Sequence, residues 1–218
     1  MTLPQPQAVL FDWDNTLVDT WPTIHVALNM TLEYMQHPAW SLDKVKSNVK
    51  RSMRESFPEM FAERWEEAAA HYQQSYRSIH LGHLQPLPGA ENTLRMLKAK
   101  KLFLGIVTNK KSDTLKLEID HLGWRDYFDV MVGAGDAARD KPSGDPAILA
   151  LESYSGDRNQ AVWFVGDTGV DLECAAAIHA TSFLFGDHAP QGMRHDGHAF
   201  DAHARTHSDL QEMITDAG

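Results

Sequence analysis

The chain has 218 residues, 43% of them apolar, enough for one substantial core and a small second domain. Its formal net charge is −10, with 20 Lys and Arg against 30 Asp and Glu, which argues against broad binding to nucleic acid or an anionic membrane. The lone cysteine, Cys174, excludes an internal disulfide, and no apolar stretch approaches the length of a membrane span, so the expectation is a soluble, cytoplasmic protein.

The first predicted strand, Ala8 to Phe11, runs directly into Asp12-Trp13-Asp14-Asn15-Thr16. Side chains two apart on extended backbone point the same way, so Asp12 and Asp14 can face one small site. Two buried carboxylates repel each other. A cation must sit between them, or one must hold a proton.

About ninety residues separate this strand from the next, far more than a βα crossover needs. The stretch reads as helical. Thr20-Trp21-Pro22 opens one helix through Ile24, Leu28 and Leu32. Pro58 opens another, with Phe61, Trp65, Ala68, Tyr72, Tyr76 and Ile79 at spacings of three and four. The expectation is a helical subdomain inserted over 19–85, with Trp65, Tyr72 and Tyr76 in its core and Pro86-Leu87-Pro88-Gly89 as the return hinge. Residues 1–18 and 86–218 then form the main domain.

From Gly89 onward, strands and helices alternate. A helix over 89–100 precedes a strand over 102–107, which ends at Thr108-Asn109, a hydroxyl and an amide able to donate to an anion. A helix over 112–122 precedes a strand over 128–132. Next comes Asp140-Lys141-Pro142, whose lysine is a compact charge suited to phosphate, and a helix start at Asp145-Pro146. The strand over 161–165 leads into Gly166-Asp167-Thr168-Gly169-Val170-Asp171, with two carboxylates four apart on a loop turning into a helix. Cys174, among alanines, reads as a small packed hydrophobe. A last strand over 181–185 precedes a His-, Asp- and Gly-rich stretch, 187–207, expected to run largely as surface loop. The spacings of His188, His195, His198, His203 and His207 match no tight ligand set.

This alternation predicts an α/β fold, a doubly wound parallel sheet with a helical insertion. Its chemical groups all fall at strand C-terminal ends, where open parallel sheets bind ligands. Hard oxygen donors suit Mg²⁺. The remaining groups suit phosphoryl transfer with an aspartate as nucleophile.

Four motifs in order, Asp12-x-Asp14-x-Thr16, Thr108-Asn109, Lys141-Pro142 and Gly166-Asp167-x-x-x-Asp171, resemble those of the haloacid dehalogenase superfamily phosphatases, in the branch similar to phosphoglycolate phosphatases. The resemblance covers nearly the whole chain, since the insertion sits where that branch places its cap domain on a Rossmann-like core. It implies a Mg²⁺-dependent phosphatase acting on a small phosphorylated metabolite through an aspartyl-phosphate. Asp12 would be the nucleophile and Asp14 the general acid and base. Asp12, Asp167 and the Asp14 backbone carbonyl would ligate Mg²⁺, with Asp171 holding its waters or ligating directly. Thr108 and Lys141 would bind phosphoryl oxygens, and Asn109 would support that cradle. Arg51 or Arg54 could touch the leaving group or form an exposed basic turn. Asn15 stands where the family usually has glycine, and Asn tolerates left-handed backbone. Asp14 argues against dehalogenation, which needs no leaving-group acid. A sugar-phosphate mutase and a non-catalytic phospho-ligand binding module are the alternative readings, and either a monomer or a homodimer fits.

Overall fold

The short apolar runs form strands because their flanking turns limit them to strand length and their side chains are buried on both faces. The computed structural model describes residues 3–49, 53–156, 161–190 and 192–218, without side chains at 53–55. Arg51 and the side chain of Arg54 therefore lie outside the described residues. The strands are β1 Ala8–Phe11, β2 Val18–Asp19, β3 Gln85–Pro86, β4 Phe103–Lys111, β5 Val130–Ala134, β6 Val162–Gly166, β7 Thr181–Phe185, β8 Arg194–His195, β9 His198–Ala199 and β10 Ala202–Ala204. The helices are α1 Trp21–Tyr34, α2 Leu42–Asn48, α3 Met53–Phe61, α4 Trp65–His83, α5 Ala90–Ala99, α6 Ser112–Leu122, α7 Asp145–Leu151, α8 Gly169–Ala177 and α9 His207–Asp216.

Six strands make one parallel sheet in the order β10-β7-β6-β1-β4-β5. The chain runs outward from β1 through β4 to β5, then returns to β1's other side as β6. That reversal puts a topological switch point at the C-terminal end of β1. On one face Ala8, Leu10, Val107 and Phe164 pack with Ala147, Ala150 and Leu151 of α7 and Cys174 and Ala175 of α8. Val9, Phe11, Leu104 and Ile106 alternate to the other face and are equally buried. There α5 contacts both β4 and α9.

By its internal contacts the chain divides into two units, one running up to Val18 and resuming at Pro86, the other spanning 19–85. The second unit is helical. Its core holds Leu28, Leu32, Met35, Val45, Phe57, Phe61 and Ala68, with Trp65 and Tyr72 packed against them.

Three local expectations need correction, and a fourth needs completing. Pro58 does not open a helix but lies inside α3. The break comes four residues later, at Ala62, whose φ of 48° turns the chain into the short 3₁₀ segment Ala62–Arg64 before α4. Pro suits a first helical turn best, so a proline farther in reads wrongly as a start. β4 runs on to Lys111, because a bulge keeps the strand paired beyond Val107. β5 starts at Val130 rather than Phe128, since the Phe128 N–H donates to the Arg125 carbonyl and closes the 3₁₀ turn Arg125–Tyr127. The stretch 187–207 is largely irregular, as expected, but not wholly so. It holds the β8–β9 hairpin and a sixth sheet strand, β10, paired with β7. Only Ala202 and Ala204 of β10 point inward, too short an alternation to register in sequence.

Trp163 ties this core together. It is fully buried, its ring lies 4.4 Å from that of Phe183, and its indole N–H donates to the Pro4 carbonyl at 3.0 Å. Trp163→Ala is expected to destabilise the protein by about 3–5 kcal/mol in denaturant unfolding, through cavity formation and a lost hydrogen bond.

Candidate active site

The register of the sheet assembles the site. Phe11 pairs with both Ile106 and Val165, so the next residues out, Asp12, Val107 and Gly166, lie level at the strand ends. The Asp12 N–H continues the ladder by donating to the Val165 carbonyl at 2.9 Å. The chain must then turn sharply. Asn15 takes that turn at φ 58°, its N–H donating to the Val18 carbonyl at 2.7 Å.

Asp12, Asp167 and Asp171, all buried, bring carboxylate oxygens within 4.8 Å of one another. Two like charges about 4 Å apart repel by about 4 kcal/mol at an effective dielectric of 20. Lys141 relieves part of this. Its buried ammonium donates to Asp12 Oδ1 at 2.7 Å and to Asp171 Oδ1 at 2.6 Å. The other oxygen of Asp171 accepts from the Thr168 N–H at 3.0 Å and its hydroxyl at 2.7 Å, capping α8. Glycine at 166 permits this, because a Cβ there would overlap the Asp171 side chain. Asp167 has no hydrogen-bond partner among the described residues.

Three carboxylates against one ammonium leave two negative charges in excess. Burial, reinforced by Asp171 and Asp14, pushes the Asp12 carboxyl up to about 6 against the pull of Lys141. Burial, then Asp171 and Asp12, likewise hold Asp167 well above the usual carboxylate range. Burial alone would lower the Lys141 value, but Asp12 and Asp171 outweigh it and raise it. An all-oxygen cluster with two uncompensated charges and an unpartnered buried carboxylate fits a hard divalent cation.

Lys141 is held in place from across the site. The Asn109 side-chain carbonyl accepts from the Lys141 N–H at 3.0 Å, and its amide donates to the Lys141 carbonyl at 2.9 Å. The amide of Asn109 is thus engaged with main chain. Thr108 is buried and its hydroxyl accepts from the Lys110 N–H at 3.2 Å. Asp14 stands slightly apart, its carboxylate 2.7 Å from the ammonium of Lys110.

Sequence reasoning passed over Lys110, Glu118 and Thr168. Glu118 offered a signal: it lies between Leu115 and Ile119 on the buried face of α6 and is itself fully buried. A carboxylate on such a face needs a cationic partner. The reading of Cys174 as a packed hydrophobe fits the structure; that of the five histidines as solvated loop fails at His207, which is buried at the start of α9 with Nε2 2.9 Å from the Thr16 carbonyl. Cys174 is buried, which pushes its thiol up to about 12 and leaves it inert. His188, His195 and His203 lie near one another, with ring centroids 4.4 and 6.5 Å from that of His188, but among the described residues only the aspartate trio meets the spacing a metal requires.

A family model described as haloacid dehalogenase-like hydrolase matches residues 9–185. The phosphoglycolate phosphatase of Aquifex aeolicus is 30% identical over 77% of this chain and 78% of its own length. That of Chromobacterium violaceum is 30% identical over 85% of this chain and 87% of its own. Among solved structures, a HAD-superfamily hydrolase from Ehrlichia chaffeensis is 26% identical, with a TM-score of 0.66 over 98% of each chain.

The raised carboxyls set a pH dependence. Between the ordinary value of 3.8 and about 6, folded Asp12 binds more protons than unfolded Asp12, so metal-free stability falls as pH rises through that window. A bound divalent cation reverses the trend by favouring the ionised form. At a hundredfold excess over Kd it should add about 2.7 kcal/mol, a rise in Tm of roughly 5–10 °C for a chain of this size. Thermal melts with and without the cation should show this shift near neutral pH, shrinking below about pH 6. Asp167→Asn should remove most of it.

Proposed function

Because the chain belongs to the haloacid dehalogenase-like hydrolase family, we propose that it is a phosphatase that hydrolyses a small phosphate monoester through an aspartyl-phosphate on Asp12. The observation that carries this reading is the buried Asp12–Lys141–Asp171 bridge beside the unpartnered Asp167. It joins an aspartate nucleophile, an ammonium for phosphoryl oxygens and an acidic cation site. Curated relatives named phosphoglycolate phosphatase, alike over most of their length, favour a small phosphorylated acid as substrate.

The proposed cation is Mg²⁺, held by Asp12, Asp167 and the Asp14 carbonyl, with Asp171 beside it; when bound it would neutralise the excess charge and draw electrons from the phosphoryl group. Lys141 holds one Asp12 oxygen and leaves the other to attack phosphorus. The ester P–O bond breaks in line, and the leaving oxygen takes a proton from Asp14. A water then attacks the phosphorus of the aspartyl-phosphate and gives its proton to Asp14. Inorganic phosphate departs and free Asp12 is restored. Thr108 and Lys141 supply donors for the phosphoryl oxygens, and Asn109 keeps Lys141 in register. The helical unit, 19–85, is the proposed cap domain. The buried thiol of Cys174 is compatible with a cytoplasmic setting.

Asp12→Asn should lower p-nitrophenyl phosphate turnover by about 10⁴-fold or more while leaving the circular dichroism spectrum intact. The wild-type protein should lose activity in chelator and regain it with Mg²⁺. Retained turnover in a deamidation-free Asp12→Asn sample would refute the nucleophile assignment.

A further inference from the structure

Lys110 sits at the centre of a second charge network, its side chain buried against Glu118 and its other partner, Asp14, 30% exposed. Its ammonium lies 2.7 Å from Asp14 Oδ1 and 2.7 Å from Glu118 Oε2. The same Glu118 oxygen accepts from the Trp13 indole N–H at 2.6 Å. Side-chain exposure is 6% at Lys110 and zero at Glu118, so solvent screens this contact little. The Trp13 ring is also fully buried and packs edge-on against Trp124, with centroids 6.0 Å apart.

The backbone is shaped to deliver Lys110. From Val107 to Lys111, β4 advances four residues while its partner β5 advances only from Val132 to Ala134. The surplus is a bulge, a device that re-aims side chains at a strand end. Strand alternation supplies the rest. Asp12 and Asp14 face the site, while Trp13, between them, points into the core and reaches Glu118 on α6. Lys110 is therefore held from behind by a carboxylate that is itself tied to the residue preceding Asp14.

We propose that Lys110, anchored by Glu118 and Trp13, is a positioning residue that pins one oxygen of Asp14 and so aims the other at the leaving group. The proposal rests on the reading of Asp14 as the leaving-group acid. A merely structural network would slow all substrates alike. A positioning role selectively slows esters whose leaving group needs a proton. Removing Lys110 alone also strands Glu118 in the core, so a charge-free replacement of the pair is needed beside it.

The test compares phenyl phosphate, whose phenolate leaves poorly, with p-nitrophenyl phosphate, whose phenolate leaves readily, at saturating Mg²⁺. It uses the full chain as wild type, Asp14→Asn, Lys110→Met, Glu118→Gln and the double variant Lys110→Met/Glu118→Leu, with folding checked by circular dichroism. The ratio of kcat on phenyl phosphate to kcat on p-nitrophenyl phosphate is expected to fall about tenfold or more in Asp14→Asn. It should fall severalfold in each correctly folded Lys110 variant and less in Glu118→Gln. Adding Lys110→Met to Asp14→Asn should leave the ratio where Asp14→Asn alone put it, because both changes remove one function. An unchanged ratio in Asp14→Asn would bring down the acid assignment and this proposal with it. A lowered ratio in Asp14→Asn with an unchanged ratio in the folded Lys110 variants would overturn this proposal alone.

Discussion

A buried ammonium between two buried carboxylates is the constraint around which the rest of the core is arranged. Lys141 could not remain charged at its depth without Asp12 and Asp171, and those carboxylates could not remain so close without it. The contact joins the ends of β1, β6 and the loop before α7, which are far apart in the chain. The parallel sheet makes the meeting possible. Strands β4 and β6 flank β1 and run parallel to it, with the chain connections leading to opposite sides of β1, so the C-terminal ends open onto one crevice. Asn109 and Thr168 then fix the partners, one through the Lys141 main chain and the other by capping α8 through Asp171.

The bridge is incomplete as an electrostatic unit. One ammonium does not neutralise three carboxylates, and burial, reinforced by the neighbouring carboxylates, raises Asp12 and Asp167. Such a site stores unfavourable energy in the absence of a cation and releases it on binding one. Stability and ligand affinity are thereby linked through the same residues, as expected where acidic groups are gathered for chemistry rather than for folding.

A second lysine repeats the arrangement one step away. Lys141 serves Asp12, and Lys110 serves Asp14. Each lysine has a side chain almost wholly removed from solvent and bridges two carboxylates. Each is also set by a local device, the Asn109 clamp in one case and the β4 bulge with Glu118 in the other. Trp13 separates the two systems just beyond β1, its side chain turned into the core between aspartates that face the site. The two aspartates of one short motif are thus held by different cations, consistent with their doing different work in the proposed reaction.

Much of the sheet was legible in the chain alone. The runs that became β1, β6 and β7 are apolar, short and bounded by turns, and Asp12 and Asp167 directly follow the first two. The same local rules misread Pro58, whose helix is set by packing within the helical unit. They also missed β10, which two inward alanines cannot announce. Glu118 looked like one more acid on a charged helix, and Lys110 like one more surface lysine. The sequence by itself determined the alternating elements and the kinds of chemical group at their ends, since periodicity and residue type are local properties. Only the tertiary structure decided which lysine meets which aspartate, because that depends on strand order, on register and on a bulge whose geometry comes from pairing with β5.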